Sequence, residues 1–472
     1  PREARRTADR ACLGGMARTA RVISRMPEAI LVGAQVRGIV EAYLQERPEL
    51  VELCVTAIGS ERADAGPPEA AVEGLRANLS RLFGGVNTGP VDSIDYTTPL
   101  RAELLRAWAV AAGDPGVEAT RWLLEGAPAG ISELPVLDGV FPVANEASAD
   151  YMSPEDLDFG DYQGFTNYQG IDEDQLVADE LARFCGLGYL KRLVTMAECK
   201  AYLGAEPVLS RFGLIVRDKF GKTKRRLILD VKQSRVKYST RRTHRVPLPR
   251  GTDVVYDTLE CMKATGVSNS PDDDGLEYIV LDVVEAFWNI PLAKAERRYF
   301  VGRHRGAYFV FLRAAQGSPN GPLAWSGVAS LCMRLSQAAF WESGRCPLRI
   351  NTYVDDPIVV IRGSHEQRRR RIAALIMLWL CMGLSLAFHK GAHSAKVDWI
   401  GLSVSVAADS VELCINAQRV DEMRGLTALA LTKNVLGKKW LRTYVGKASS
   451  FASVLVFWRP FLADIWASLF SE

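Results

Sequence analysis

The sequence predicts a mixed α+β chain, and three observations carry that reading. Short apolar, β-branched runs bounded by turn residues recur between residues 212 and 360, the pattern of strands and hairpins. Residues 1–130 are rich in Ala, Leu, Arg and Glu, with helical spacing in 39–53 and 100–124. Helical spacing returns from Asn416 onward. With 472 residues, 48% of them hydrophobic and 24% charged, the chain has the composition of a globular protein of two to four domains.

Taken in order, residues 1–130 hold no chemical motif and no internal repeat. Gly and Pro near 65–68 and 84–90 break the helices, and an appended helical region is expected. Residues 131–182 contain 13 Asp or Glu and no Lys or Arg, a composition that reads as an acidic linker or poorly ordered segment. The functional alternative there is an acidic arm covering a basic groove. Helices are expected over 174–184 and 196–203. Two strands, 212–218 and 226–230, flank Phe220-Gly221-Lys222 and make a hairpin with a basic tip. The net charge of +3 is too small to imply a polyanionic partner, but its distribution is informative. Residues 211–250 hold 14 Lys or Arg against two Asp, a local +12 that leaves the rest of the chain at −9. Clustered Lys and Arg suit phosphate oxygens. A helix follows over 253–263, and Pro271-Asp272-Asp273-Asp274-Gly275 reads as a solvated turn.

The chemistry is concentrated further on. An apolar run, Tyr278-Ile279-Val280-Leu281, ends at Asp282 and is followed by Val283-Val284-Glu285-Ala286-Phe287. Asp355 lies 73 residues downstream, in Tyr353-Val354-Asp355-Asp356, between two β-branched runs that fit a hairpin with the acids at its turn. An Asp-Asp turn is by itself ordinarily a solvated surface turn. Adjacent carboxylates repel, however, and a divalent cation stabilises them economically. Asp282 and Asp355 can share a metal pair if their strands lie side by side. Between them, Gln316-Gly317-Ser318-Pro319-Asn320-Gly321-Pro322 forms a loop that opens a long helix.

These three pieces, in this order and with these flanks, resemble polymerase motifs A, B and C of reverse transcriptases. Tyr-Val-Asp-Asp resembles the motif C of retroelements of the long-terminal-repeat or tyrosine-recombinase type, and the likeness spans roughly residues 183–470. It implies a right-hand polymerase, with fingers and an antiparallel palm sheet over 183–415 and a helical thumb over 416–472. Asp282 and Asp355 would then be ligands of two Mg²⁺ ions (or Mn²⁺), with Asp356 as the weaker or indirect member and the Val283 carbonyl as a further oxygen. Arg226, four residues before Asp230, matches the arginine that grips the incoming triphosphate, and Lys222 and Lys224 compete for the lysine role. The family often has Asn shortly after; this chain has Lys237. Phe287 stands at the aromatic gate that favours deoxynucleotides, and Glu285 at an acid facing the triphosphate, with core packing and a solvated helix position as their ordinary readings. Gln316 matches the motif B glutamine beside the nucleotide, and Gly317 lets backbone approach closely. Ala314-Ala315 replaces the family's Leu-Pro. Lys390 resembles the motif D lysine that protonates departing pyrophosphate. Asp398-Trp399-Ile400-Gly401 resembles the primer grip of motif E, and Tyr353, Trp399, Gly401, Gly446 and Lys447 are assigned to primer and template.

The expected activity is RNA-directed DNA polymerisation from dNTPs on an RNA or DNA template with a primer. The alternative from another class is an inactive, polymerase-derived nucleic-acid-binding protein. Tyr-Val-Asp-Asp in place of Gly-Asp-Asp, with Phe287, points away from an RNA-dependent RNA polymerase. Nine scattered cysteines without a Cys-x-x-Cys pair fit free thiols in a reducing compartment and give no zinc site. Residues 372–388 are 17 uncharged residues after four arginines, at the lower limit for a membrane span. Ser364 and Gln367 fit a capping box, so a buried helix is expected there and no membrane partner. The absence of a signal-peptide pattern and the start at Pro1 fit an intracellular (cytoplasmic or nuclear) piece of a longer polyprotein.

Overall fold

A computed structural model describes residues 24–62, 64–92, 97–144, 151–157, 164–219, 222–263, 275–314, 317–342, 346–407 and 410–470. The N-terminal third contains helices α1 (Pro27–Glu46), α2 (Glu49–Ala57), α3 (Glu69–Leu82), α4 (Ala102–Ala111) and α5 (Glu118–Glu125), with a small ladder of β1 (Val91–Asp92) and β2 (Thr97–Thr98). Next come α6 (Gln175–Gly186), β3 (Leu190–Leu193), α7 (Met196–Leu203), the long hairpin β4 (Leu209–Lys219) and β5 (Lys222–Asp230), and α8 (Gly251–Lys263). Strand β6 (Gly275–Val280) is followed by β7 (Val301–His304), β8 (Ala307–Phe311), α9 (Gly321–Ala339), the hairpin β9 (Leu348–Tyr353) and β10 (Asp356–Gly363), and α10 (His365–Cys381). Strands β11 (Ala392–Ser394), β12 (Lys396–Trp399), β13 (Leu402–Val406) and β14 (Val411–Ile415) lead to α11 (Ala417–Leu431), α12 (Lys438–Phe451) and α13 (Arg459–Phe470).

Among the described residues the strands form three larger sheets, ordered β11-β6-β10-β9, β12-β13-β14 and β3-β8-β7-β4-β5. All pairings are antiparallel except the short β4–β7 contact. The chain is therefore mixed α and β, as its patterning predicts. The two hairpins expected around 220 and 355 are present, and the second carries a continuous β-branched run, Ile358 to Ile361, that is buried on both faces of its sheet.

The main core is built from both ends of the sequence. Helix α9 is buried almost around its circumference, including Leu323, Trp325, Val328, Leu331 and Leu335. Complete burial of each such side chain is worth about 1.5–3 kcal/mol. Helices α1 to α5 supply Val36, Val40, Leu75, Leu79, Trp108 and Trp122 to the same core. The N-terminal region is thus continuous with the rest, where composition alone had read it as appended. Its spacing showed the helices, but nothing local shows which surface they cover.

Two buried charges tie the early chain to the later elements. Arg334 of α9 donates Nε to Asp114 Oδ2 at 2.8 Å and Nη2 to Oδ1 at 2.7 Å, with side-chain exposures of 1% and 2%. Ser330 Oγ takes a third guanidinium bond at 2.9 Å, and the Gly116 amide donates to Asp114 at 2.7 Å. Glu296, fully buried, accepts from the amides of Ala129, Ile131, Ser132 and Glu133. Burial nonetheless raises the Glu296 carboxyl above its usual range, partly countered by these amides. Ile131, Leu137, Val140 and Phe141 are buried as well. The stretch 131–144, read as linker from its acid excess, is therefore packed in place: Glu133 and Asp138 are exposed and these four apolar residues face in, while Leu134, Val136 and Val143 stay exposed.

Helix α10 begins in the expected capping box of Ser364 with Gln367, and Ile372 through Trp379 are buried. Arg76 closes its other end, donating to the Leu380 and Cys381 carbonyls at 2.8 and 3.1 Å. The four arginines at its start pair internally, Arg368 with Glu277, Arg369 with Glu52, Arg370 with Glu366 and Arg371 with Glu342. Three of these pairs tie α10 to other parts of the fold, while Arg370–Glu366 lies within the helix. No described helix is long and apolar enough to cross a membrane.

Replacing Asp114 with Ala leaves the Arg334 guanidinium buried and unpaired. The expected loss of stability is about 3–5 kcal/mol, read from urea unfolding. A loss below 1 kcal/mol would show that this pair does not anchor the N-terminal helices.

Candidate active site

Strand register creates the site. Val280, near the end of β6, lies opposite Ile358 of β10. Beyond it the pairing continues irregularly, with the Leu281 amide donating to the Pro357 carbonyl at 3.2 Å and the Val283 amide to the Asp355 carbonyl at 2.9 Å. Asp282 is thereby held beside the β9–β10 turn that carries Asp355 and Asp356. The turn needs a left-handed residue, and Val354 supplies it at φ +61°. A β-branched residue in that conformation is costly, on the order of 1–3 kcal/mol, and persists only when its surroundings impose it. Trp325 of α9 does so by donating its indole N–H to the Val354 carbonyl at 2.7 Å. Trp399 donates likewise to the Asp356 carbonyl at 3.0 Å, and its ring meets Tyr353 edge-on at 6.4 Å.

A second segment closes over Asp282. The Ala387 amide donates to the Asp282 carbonyl at 2.8 Å, and the Lys390 amide to the Ala387 carbonyl at 3.0 Å. The Lys390 ammonium then reaches back to Asp282 Oδ1 at 2.8 Å. This lysine side chain is half exposed, while that of Asp282 is 21% exposed.

Burial dominates the electrostatics and like charge adds to it. The Asp355 carboxyl is raised above its ordinary range by burial and by Asp282, against lowering by its own backbone hydrogen bond, Lys390 and Arg226. Asp356 is pushed up to about 6 by burial, then by Asp355 and Asp282, with Lys390 opposing. Asp355 and Asp356 thus both feel the charge of Asp282. Among the described residues no group of three or more His, Cys, Asp or Glu side chains stands ready as an all-protein metal cage. Mg²⁺ does not require one: it usually binds through one or two carboxylates and completes its shell with water and phosphate oxygens. Two adjoining carboxylates whose charge calls for a cation fit that chemistry.

The remaining expected residues fall into distinct settings. Arg226 is on β5 opposite Ile215, exposed, and its charge is felt at Asp355. Lys222 and Lys224 are on the same strand; their side chains lie outside the described residues, as does all of Gln316. Gly317 has φ +103°, and a Cβ there would sit 3.2 Å from the Leu229 carbonyl, so this loop passes close under β5. Phe287 is half-buried against the main core. The Val283 backbone bridges to Leu386. Gly401, at φ +81°, turns β12 into β13, and a Cβ there would overlap the Arg419 side chain. Gly446 has open space around its Cα, and Lys447 pairs with Glu422.

Glu285 has a different environment from the one expected. Left-handed at φ +52°, it accepts from the Tyr189 hydroxyl and pairs with Arg183 at 3.2 Å. Its carboxylate lines a cavity of about 180 Å³ with Tyr189, Trp288, Asn289 and Arg313. Neither this cavity nor the anchoring roles of Trp325 and Tyr189 has a signal in sequence, because each depends on residues tens of positions apart.

No family model and no curated protein matches this chain. Among solved structures it is similar to the foamy viral protease-reverse transcriptase in three complexes. One, a dRH form with double-stranded DNA, has 17% identity and a TM-score of 0.36 over 59% of this chain and 39% of that one. The complex with an RNA/DNA hybrid has 15% identity and a TM-score of 0.38 over 61% of this chain and 32% of that one. A further complex with double-stranded DNA has 14% identity and a TM-score of 0.38 over 60% and 48%. This chain therefore spans less than half the length of each of these proteins. Likeness at these TM-scores carries no argument of its own.

Two pH windows separate the cluster from its scaffold. Asp356, raised to about 6 from 3.8, makes the metal-free fold gain stability as pH falls from 7 toward 4 and lose it as pH rises through 6. Glu277, held down at about 2 by His393 and Arg368 despite its burial, contributes stability above pH 4.5 that is lost as pH falls through 2. Thermal melts of the parent and Asp356→Asn from pH 3 to 8 check this. The variant should show a shallower upper slope, Asp355 and Glu296 being raised as well, and at pH 7 melt higher by about 1–3 °C. An unchanged upper slope would contradict the clustering of the acids.

Proposed function

We propose that this chain is a template-directed DNA polymerase of the reverse-transcriptase type, extending a primer with dNTPs on an RNA or DNA template. The observation that carries the reading is the pairing of β6 with β10, which sets Asp282 beside the Asp355 turn with Arg226 and Lys390 at its edges. In this reading the β11-β6-β10-β9 sheet is the palm, the β4–β5 hairpin belongs to the fingers over 183–415, and α11 to α13 form a thumb over 416–472.

Asp282 and Asp355 would hold two Mg²⁺ ions, or Mn²⁺, with the Val283 carbonyl as a further ligand. Those ions supply activation of the primer 3′ oxygen and neutralisation of charge on the α-phosphate and pyrophosphate. Asp356 acts indirectly, by fixing the turn through its carbonyl bond to Trp399. Arg226, with Lys222 or Lys224, holds the triphosphate from the hairpin, where charge-assisted bonds to phosphate are strongest. Gln316 would bond the nucleotide, as the resemblance implies, and Gly317 brings its loop close to β5. Phe287 bounds the sugar and excludes a 2′-hydroxyl. Lys390 Nζ delivers a proton to the departing pyrophosphate. Tyr353, Trp399 and Gly401 lie on the primer side, and Gly446 and Lys447 face the duplex from the thumb. Glu285 orders the wall of the neighbouring cavity through Tyr189 and Arg183 and is the weakest candidate for nucleotide contact.

The test is extension of an oligo-dT primer on poly-A RNA with labelled dTTP and Mg²⁺ or Mn²⁺, parent against Asp355→Asn. The parent should extend, and the variant should lose at least about a hundredfold in rate, the scale of one lost charge-stabilising group. Salt-sensitive binding of the template-primer without extension by either protein would replace this reading with that of a nucleic-acid-binding protein.

A further inference from the structure

We propose that Lys390 is a built-in counter-ion that holds the carboxylate cluster together in the metal-free protein and gives up Asp282 when a divalent cation binds. This rests on the metal role proposed for Asp282 and Asp355. Asp282 lies beside the turn that carries Asp355 and Asp356, and Lys390 Nζ stands 2.8 Å from Asp282 Oδ1, a carboxylate oxygen for which an arriving cation would compete. A divalent cation carries twice the charge of an ammonium and binds carboxylate oxygen at about 2.0–2.1 Å for Mg²⁺, so the two compete for one lone-pair region. The lysine is built to yield. Its side chain is half exposed and ends a short turn, Phe388–Lys390, suspended from Asp282 itself through the Ala387 amide. Releasing the ammonium thus leaves the backbone anchor intact.

The same anchor keeps the freed amine beside the cluster. On its flexible four-carbon stem, the ammonium can swing away from Asp282 toward solvent without any change of fold. Occupation of the cation site and liberation of the proton donor become one event, so a lysine paired with Asp282 is withheld from chemistry until the cation is in place. Other described charges do not duplicate this role: Arg226 and Lys390 oppose the raised charge cost at Asp355, but the ion pair on Asp282 comes from Lys390.

The experiment uses the full chain without nucleic acid, stripped of metal and titrated with Mn²⁺, reading free Mn²⁺ by electron paramagnetic resonance and unfolding by thermal melt. Parent, Lys390→Gln, Lys390→Met and Lys390→Arg are compared, with Lys200→Gln, which breaks a remote pair with Glu206, as a control. Both neutral variants should bind Mn²⁺ more tightly, on the order of fivefold, the scale of one partly exposed ion pair. Without metal they should melt lower than the parent, and Mn²⁺ should close that gap; Lys390→Arg should stay near the parent and Lys200→Gln should bind Mn²⁺ as the parent does. Circular dichroism of the two neutral variants separates a lost fold from a lost counter-ion. Equal Mn²⁺ affinity in the parent and both neutral variants, with Asp355→Asn still abolishing binding, would overturn the exchange while leaving the metal site standing. Binding that Asp355→Asn does not alter, or no binding at all, would overturn both.

Discussion

The structure depends on one unfavourable interaction being held in place: carboxylates set side by side by the pairing of β6 with β10. Burial and like charge both work against ionised Asp355 and Asp356: the Asp356 carboxyl is pushed up to about 6 by burial first and then by Asp355 and Asp282. Much of what surrounds them holds them in place. Trp325 and Trp399 fix the two carbonyls that flank Asp355, and Val354 is kept left-handed between them. The Ala387–Lys390 segment closes the other side with one backbone bond and one ion pair.

That restraint reaches far from the acids. Trp325 can hold the turn only if α9 is itself immobile, and α9 is packed by helices from the first 125 residues and pinned by Asp114. Thr98, in the small N-terminal ladder, donates to the Asn289 carbonyl, just beyond the segment that carries Asp282. The N-terminal region therefore contributes to the site by rigidity, without supplying a chemical group to it. A strained turn bearing like charges is affordable only on such a scaffold.

Short-range chemistry was legible in the sequence, and long-range packing was not. The hairpins at 212–230 and 351–360, the capping box at Ser364 and the helical content of 1–130 follow from periodicity and side-chain type within a few residues. The adjacency of Asp282 and Asp355 needed a condition, that their strands pair, which local pattern cannot supply. The continuity of the N-terminal helices with α9, and the packing of 131–144 around Glu296, have no local signal because buried partners such as Arg334 and Asp114 are 220 positions apart. Arg368 to Arg371 show the same limit: four arginines in a row resemble a polyanion or membrane patch until each is seen with its own carboxylate. Glu285, which by resemblance would face the triphosphate, has a left-handed backbone and meets Tyr189 and Arg183.

Anomalous diffraction from crystals of the chain soaked with Mn²⁺ would test the central claim most directly. The account predicts a peak in contact with the carboxylates of Asp282 and Asp355, accompanied by departure of the Lys390 ammonium from Asp282. A peak at some other group of acids, with Asp282 still paired to Lys390, would contradict it.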